Sequence, residues 1–251
     1  MIGEPVLEIR ALTKRYGDFT AVDGLELSVE RGEMFGLLGV NGAGKTTTMR
    51  MLMGILRASA GSARIAGLDC FQDRVEVKRL VGYLPDEPAF QDYLRGGELV
   101  RFVGEMHGLA GAEIERRAAP LIERLSLGDA MDEFAVNYSR GMKKKLALLC
   151  ALLHDPLLLI LDEPTSGLDP IAMRRLDELL RARVASGMTV LLSSHQLDHV
   201  QSLCGRSAIL SAGKLAAVGT LDELRTRASA DSSLEEVFFA ITDRGAADVT
   251  P

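Results

Sequence analysis

No stretch constrains this chain more than residues 36 to 50. There G-x-x-x-x-G-K-T runs from Gly39 to Thr46, directly behind the apolar run Met34 to Leu38. The pattern predicts a buried strand, a glycine loop and a helix in immediate succession. Each residue type has a physical reason. Glycine has no Cβ, so successive backbone N–H groups can turn inward together and form a nest for an anion. The helix starting near Gly44 adds its unpaired N–H groups and the positive end of its dipole. Lys45 brings a mobile full charge for the outer phosphates of a nucleotide, and the Thr46 hydroxyl suits Mg²⁺. A glycine-rich turn that fits by chance is disfavoured by the strand before it and the helix-compatible run behind it. The motif points to nucleotide phosphate without saying what the phosphate is for.

Composition narrows the classes. The chain has 251 residues, 47% apolar and 25% charged, as ordinary globular proteins have. Its net charge of −6 argues against a nucleic-acid surface spread over the whole chain. Cys70, Cys150 and Cys204 are scattered and form no C-x-x-C pair, so they read as free thiols in a reducing compartment. No basic segment followed by an apolar one opens the chain, so no secretory leader is expected. The longest apolar region, Leu146 to Leu161, is cut by His154-Asp155-Pro156 and is too short for a membrane span. These features lead us to expect a cytoplasmic protein.

Taken in order, residues 6–12 and 21–29 alternate as strands, and Met34 to Leu38 feeds the phosphate loop. Tyr16 is an aromatic ring with polar neighbours shortly before that loop. Alone it reads more readily as a half-buried tyrosine than as a platform for a base. The helix from Lys45 is expected to reach about Leu56, followed by a short strand, a short helix over 72–80 and a strand ending at Pro85. Residues 90 to about 135 turn helical and charged, with Leu99, Phe102, Val103 and Met106 on one expected apolar face. Ile114, Leu121, Ile122 and Leu125 form a second, in which Pro120 should kink or restart the helix. Ser139 is a good N-cap for the helix that follows, whose start is another potential anion site, while Lys143, Lys144 and Lys145 read first as a solvated flank and second as ligand-binding residues. Leu157 to Leu161 has no alternation, as expected of a parallel strand buried on both faces, and it ends in Asp162 and Glu163. Carboxylates at that end lie where open α/β sheets bind ligands. Asp177 and Arg181 are spaced for an i,i+4 ion pair. Thr189 to His195 is another buried strand, ending in histidine. A helix, a hairpin over 206–218 and capping boxes at Thr220/Glu223 and Ser232/Glu235 complete the chain.

Ser139-x-Gly141 about ninety residues after Lys45, then Leu157 to Pro170, then Ser193-Ser194-His195, narrow the reading further. In this combination the chain resembles the nucleotide-binding subunit of ABC transporters, from Val6 to about Ile241. Tyr138 to Lys143, Gly82 to Pro85 and Ser233 to Phe238 look most like the subset paired with exporter-type (ABC-2-like) permeases. The resemblance implies an α/β P-loop NTPase fold with a mostly parallel central sheet, an antiparallel β subdomain and an inserted helical subdomain. It implies a core from residues 1–85 and 155–220, a helical signature subdomain over about 88–150, and a helical tail over 220–251.

By the same resemblance Tyr16 would stack on adenine. Gly39, Val40, Asn41, Gly42, Ala43, Gly44, Lys45, Thr46 and Thr47 would wrap the phosphates of ATP. Thr46 and Asp162 would hold Mg²⁺, Glu163 would act as general base, and His195 would contact the γ-phosphate. Ser139, Arg140, Gly141 and Met142 would bind the γ-phosphate held by a second subunit, with Asp169 communicating across the interface. The implied partners are a separate membrane permease and a second ATPase subunit, in an ATP-dependent homo- or heterodimer at the inner face of the membrane. No nucleic acid is expected.

Three positions depart from the family pattern. Val40 replaces a common proline. Arg140 and Met142 replace a glycine and a glutamine, and Arg140 could serve the phosphate or face the helical subdomain. Asp86 stands where a glutamine usually contacts Mg²⁺, and Glu87 could do the same work. Two other classes fit less well. A non-transport ABC ATPase in translation or DNA maintenance usually carries two ATPase units or a long insertion. A GTPase or small-molecule kinase does not fit the residues after Asp162 or His195.

Overall fold

The computed structural model describes residues 5–226 and Phe238. The chain opens with two long strands, β1 (Leu7–Tyr16) and β2 (Phe19–Val29), then β3 (Met34–Leu38) and helix α1 (Lys45–Leu52). There follow β4 (Ala60–Ile65), β5 (Leu68–Asp69), α2 (Arg74–Leu80) and β6 (Val81–Leu84). Helices α3 (Gly96–Met106), α4 (Gly111–Leu125) and α5 (Arg140–Leu152) form a block. The chain then alternates through β7 (Leu158–Asp162), α6 (Pro170–Ala185), β8 (Thr189–Ser194) and α7 (Leu197–Leu203). It closes with the hairpin β9 (Arg206–Ser211) and β10 (Lys214–Thr220), followed by α8 (Leu221–Thr226).

The strands form two sheets. One is wholly antiparallel, in the order β2-β1-β4-β5. The other runs β10-β9-β3-β8-β7-β6, parallel at every pairing except β9 with β10. Every residue of β3, β7 and β8 is buried, which accounts for their unbroken apolar runs. The parallel arrangement brings the C-terminal ends of β3, β7 and β8 side by side, with Leu38 paired to Ser194 and Asp162 to Ser193.

Several local expectations change. Helix α1 stops at Leu52, not near Leu56. Gly54 takes a left-handed φ of 61°, and the N–H groups of Ile55 and Leu56 both fold back to Arg50 O. Pro120 does not restart its helix, since α4 runs through it; it lies on the solvent face, where water can take the carbonyl it leaves free. In α3, Leu99, Val100 and Gly104 are buried, whereas Phe102 and Met106 are 55% and 73% exposed. The inward stripe is therefore one residue out of step with the expected one. Asp177 binds His199 Nε2 at 2.8 Å, while Arg181 donates to Ser202 O at 2.7 Å, so tertiary partners displace their i,i+4 pair. The box Thr220/Glu223 forms, with Glu223 Oε2 2.8 Å from Thr220 N. The second box, at Ser232 and Glu235, and most of the expected tail lie outside the described residues. All three cysteines are free, and burial pushes each thiol up to about 12.

Where α3 and α5 end, His107 and His154 stack with ring centroids 3.8 Å apart. Neither ring nitrogen of His154 has a hydrogen-bond partner, and burial, then His107, pushes its pKa down to about 4. The unfolded chain therefore takes up this proton near pH 6.5, before the folded one does. Stability from the neutral ring is whole above that pH and is lost as pH falls toward 4. His154→Leu is expected to lose less stability than the wild type between pH 7 and 4.5, as read by urea unfolding at both pH values.

Candidate functional site

The loop after β3 builds the site from its backbone outward. Gly44 caps α1 with φ 104°, and a Cβ there would lie 2.6 Å from Ala21 O, so only glycine fits. Ala43 N donates to Val40 O at 3.1 Å, closing the loop, while Val40 and Asn41 face solvent. Lys45 is 6% exposed and folds back along the loop, its Nζ donating to Gly39 O at 2.6 Å and Val40 O at 3.3 Å. Burial pushes the Lys45 pKa down, and Glu163 and Asp162 oppose that shift. The ammonium is thus held at the mouth of the nest by carbonyls that an anion's oxygens can replace.

Across the sheet edge, β7 delivers two carboxylates with different surroundings. Asp162 is 1% exposed; its Oδ1 accepts from Ser193 Oγ at 2.6 Å and its Oδ2 is buried with no hydrogen-bond partner. Glu163 sits at φ 48°, outside the strand conformation, and its N–H donates to Ser193 Oγ at 3.1 Å. One carboxylate oxygen lies 2.9 Å from His195 Nδ1. The other is buried without a hydrogen bond, 3.7 Å from Lys45 Nζ. Loop lysine, strand carboxylates and terminal histidine, far apart in the chain, meet at one point. Two buried carboxylate oxygens free to take a cation or a proton lie beside them.

Tyr16 ends β1 and is 47% exposed, with Lys14 Nζ 5.0 Å from its ring centroid. Ser139 caps α5, accepting from Met142 N at 3.2 Å, and Asp169 caps α6, accepting from Ala172 N at 2.9 Å. That bond from Ala172 holds the Asp169 carboxyl below its usual range. Arg140 turns to its own chain: it lies 3.2 Å from Ser166 Oγ, 3.7 Å from Asp86 and 4.0 Å from Glu87, with its stem over Gly167.

Two residues escaped the sequence reading. Ser193 bridges Asp162 and Glu163, and its only signal was a hydroxyl at the end of an apolar strand. Lys144 does not lie on the solvated flank expected of the three lysines. Its side chain is 1% exposed, and Nζ donates to Glu163 O at 2.6 Å and Asp86 Oδ1 at 3.3 Å. The helix turns Lys144 inward on the face it shares with buried Leu148, a direction that a run of three lysines conceals.

This arrangement of a parallel sheet, a phosphate loop and acidic strand ends defines a P-loop nucleotide triphosphatase. Comparison with known proteins narrows the class. The ABC transporter family matches residues 22–166. The linearmycin resistance ATP-binding protein LnrL of Bacillus subtilis is 35% identical over 92% of this chain and 74% of its own length. The probable multidrug ABC transporter ATP-binding protein YbhF of Escherichia coli is also 35% identical, over 95% of this chain, which spans only 42% of YbhF. A solved ATP-binding subunit of an ABC transporter superposes with a TM-score of 0.90 at 34% identity, covering 94% of this chain and 99% of that one. The chain belongs to the ABC transporter family, as one of its ATP-binding, ATP-hydrolysing proteins. Among the described residues no helix is long and apolar enough to cross a membrane.

Proposed function

We propose that this chain binds Mg-ATP between two copies of such a subunit and uses its hydrolysis to power export through a separate membrane permease. The observation that carries the reading is the meeting of Lys45, Asp162, Glu163 and His195 at the sheet edge, with Asp162 Oδ2 and the Glu163 oxygen that faces Lys45 making no hydrogen bond. The resistance and multidrug proteins among its relatives support an exporter. The protein would sit at the cytoplasmic face of the membrane through its permease.

In this reading Tyr16 stacks on the base, and the backbone from Gly39 to Thr47 holds the phosphates. Lys45 exchanges its loop carbonyls for phosphate oxygens. Glu163 takes the proton of the attacking water, and His195 steadies Glu163 and reaches the γ-phosphate. Hard oxygen donors fit Mg²⁺, and the orphaned Asp162 oxygen with the Thr46 hydroxyl would hold it, helped by Asp86 or Glu87. When bound, that ion draws off charge from the phosphates. Ser139, Arg140, Gly141 and Met142 would complete the site of a partner subunit, whose arrival Asp169 reports. The helical block of α3 to α5 would pass the closure to the permease.

Asp86 tests the metal assignment. Asp86→Ala is expected to lower Mg-ATP turnover several-fold and to raise the Mg²⁺ concentration giving half-maximal rate. An unchanged Mg²⁺ dependence would remove Asp86 from the metal site and leave it as the partner of Lys144. The whole reading is tested by ATP turnover of the purified chain, together with its mass by light scattering with and without Mg-ATP. A chain that neither hydrolyses ATP nor dimerises with it would not fit.

A further inference from the structure

We propose that Lys144 is a positioning residue for hydrolysis, bracing Glu163 from the signature helix of its own chain. The inference rests on the reading of Glu163 as general base. Glu163 departs from the strand at φ 48°, a region that side chains other than glycine seldom occupy, so its backbone needs support. Three groups supply it. Ser193 Oγ takes its N–H at 3.1 Å, and its carbonyl accepts from Ser166 N at 3.2 Å and from Lys144 Nζ at 2.6 Å. Only the Lys144 contact is charge-assisted, the shorter and stronger kind.

Lys144 is also the only one of the three on α5. Ser193 ends β8, and Ser166 lies in the turn just after β7. A side chain 1% exposed that carries a full charge is costly unless paired, and Asp86 pairs it at 3.3 Å. Asp86 in turn lies 3.7 Å from Arg140, one helical turn earlier on α5. The helix capped by the exposed Ser139 thus grips, with Lys144, the backbone of the catalytic carboxylate. A shift of that helix moves Glu163 directly, because an ammonium bonded to its carbonyl links the two.

Removing the grip should leave nucleotide contacts in place and misalign the base, and a misplacement of about 1 Å can cost about 100-fold in rate. Lys144→Met keeps the aliphatic stem and removes the donor. In purified full-length chain with Mg-ATP, its kcat is expected to fall about 10- to 100-fold with KM for ATP within about threefold of wild type. Lys144→Arg, which restores donor and charge next to the solvent-facing Asp86, is expected to recover to within about fivefold of wild type. Wild-type turnover in Lys144→Met overturns the proposal. So does a loss matched by a rise in KM and a drop in Tm, or an arginine variant as impaired as the methionine one. Failure of both variants to fold would make Lys144 a structural residue and equally overturn it. Glu163→Gln assayed in parallel separates the two readings. If that variant turns over normally, the base assignment falls; if it is inactive while Lys144→Met is normal, only the role of Lys144 falls.

Discussion

Glu163→Gln is expected to bind ATP and fail to hydrolyse it. Glutamine keeps the shape of the side chain and its contact with His195 but cannot accept a proton from water. Losing general-base catalysis costs about 10²–10⁴ in rate, so kcat should fall by that factor. Affinity should hold or rise, because a negative charge 3.7 Å from Lys45 and close to the incoming phosphates has been removed. With hydrolysis stalled, ATP remains in place, and if two copies close on it as proposed, light scattering should detect a longer-lived dimer mass than for the wild type. Turnover at the wild-type rate would sink the assignment of Glu163, however well the variant binds nucleotide.

Lys45→Ala should have the opposite signature, failing at binding first. The ammonium lies 3.7 Å from the Glu163 carboxylate, and its removal would leave Asp162 and Glu163 repelling the phosphates. Truncating one member of a buried charge pair typically costs about 2–5 kcal/mol. ATP affinity is therefore expected to fall roughly 30- to 4000-fold, by the rule of about 1.4 kcal/mol per tenfold. Fluorescent-nucleotide titration reads this directly. The fold should survive, since Lys45 is bonded only to the carbonyls of its own loop and to the carboxylates. An affinity within threefold of wild type would mean that the backbone nest alone holds the phosphates.

Much of this was legible in the chain because it is local. The phosphate loop depends on glycines and a helix start within about ten residues, and the caps at Ser139 and Thr220 depend on spacings of three. The buried parallel strands followed from apolar runs without alternation, since helices cover both faces of such a sheet. The stripe on α3 was harder. Phe102 and Met106 are as apolar as Leu99, and composition does not say which edge of a helix its neighbours cover.

By itself, then, the sequence determined the loop, the order of strands and helices, and the carboxylates that must lie at the sheet's edge. Those features are set by neighbours in the chain, and chemistry at short spacing allows few alternatives. Only the tertiary structure decided that Lys144 points inward to Glu163, that Ser193 ties Asp162 to Glu163, and that Asp86 faces two cations of α5. It also decided that Asp177 prefers His199 to Arg181. Such pairings join residues 20 to 60 positions apart, and a buried charge or hydroxyl takes whichever partner the packing of the elements brings within reach.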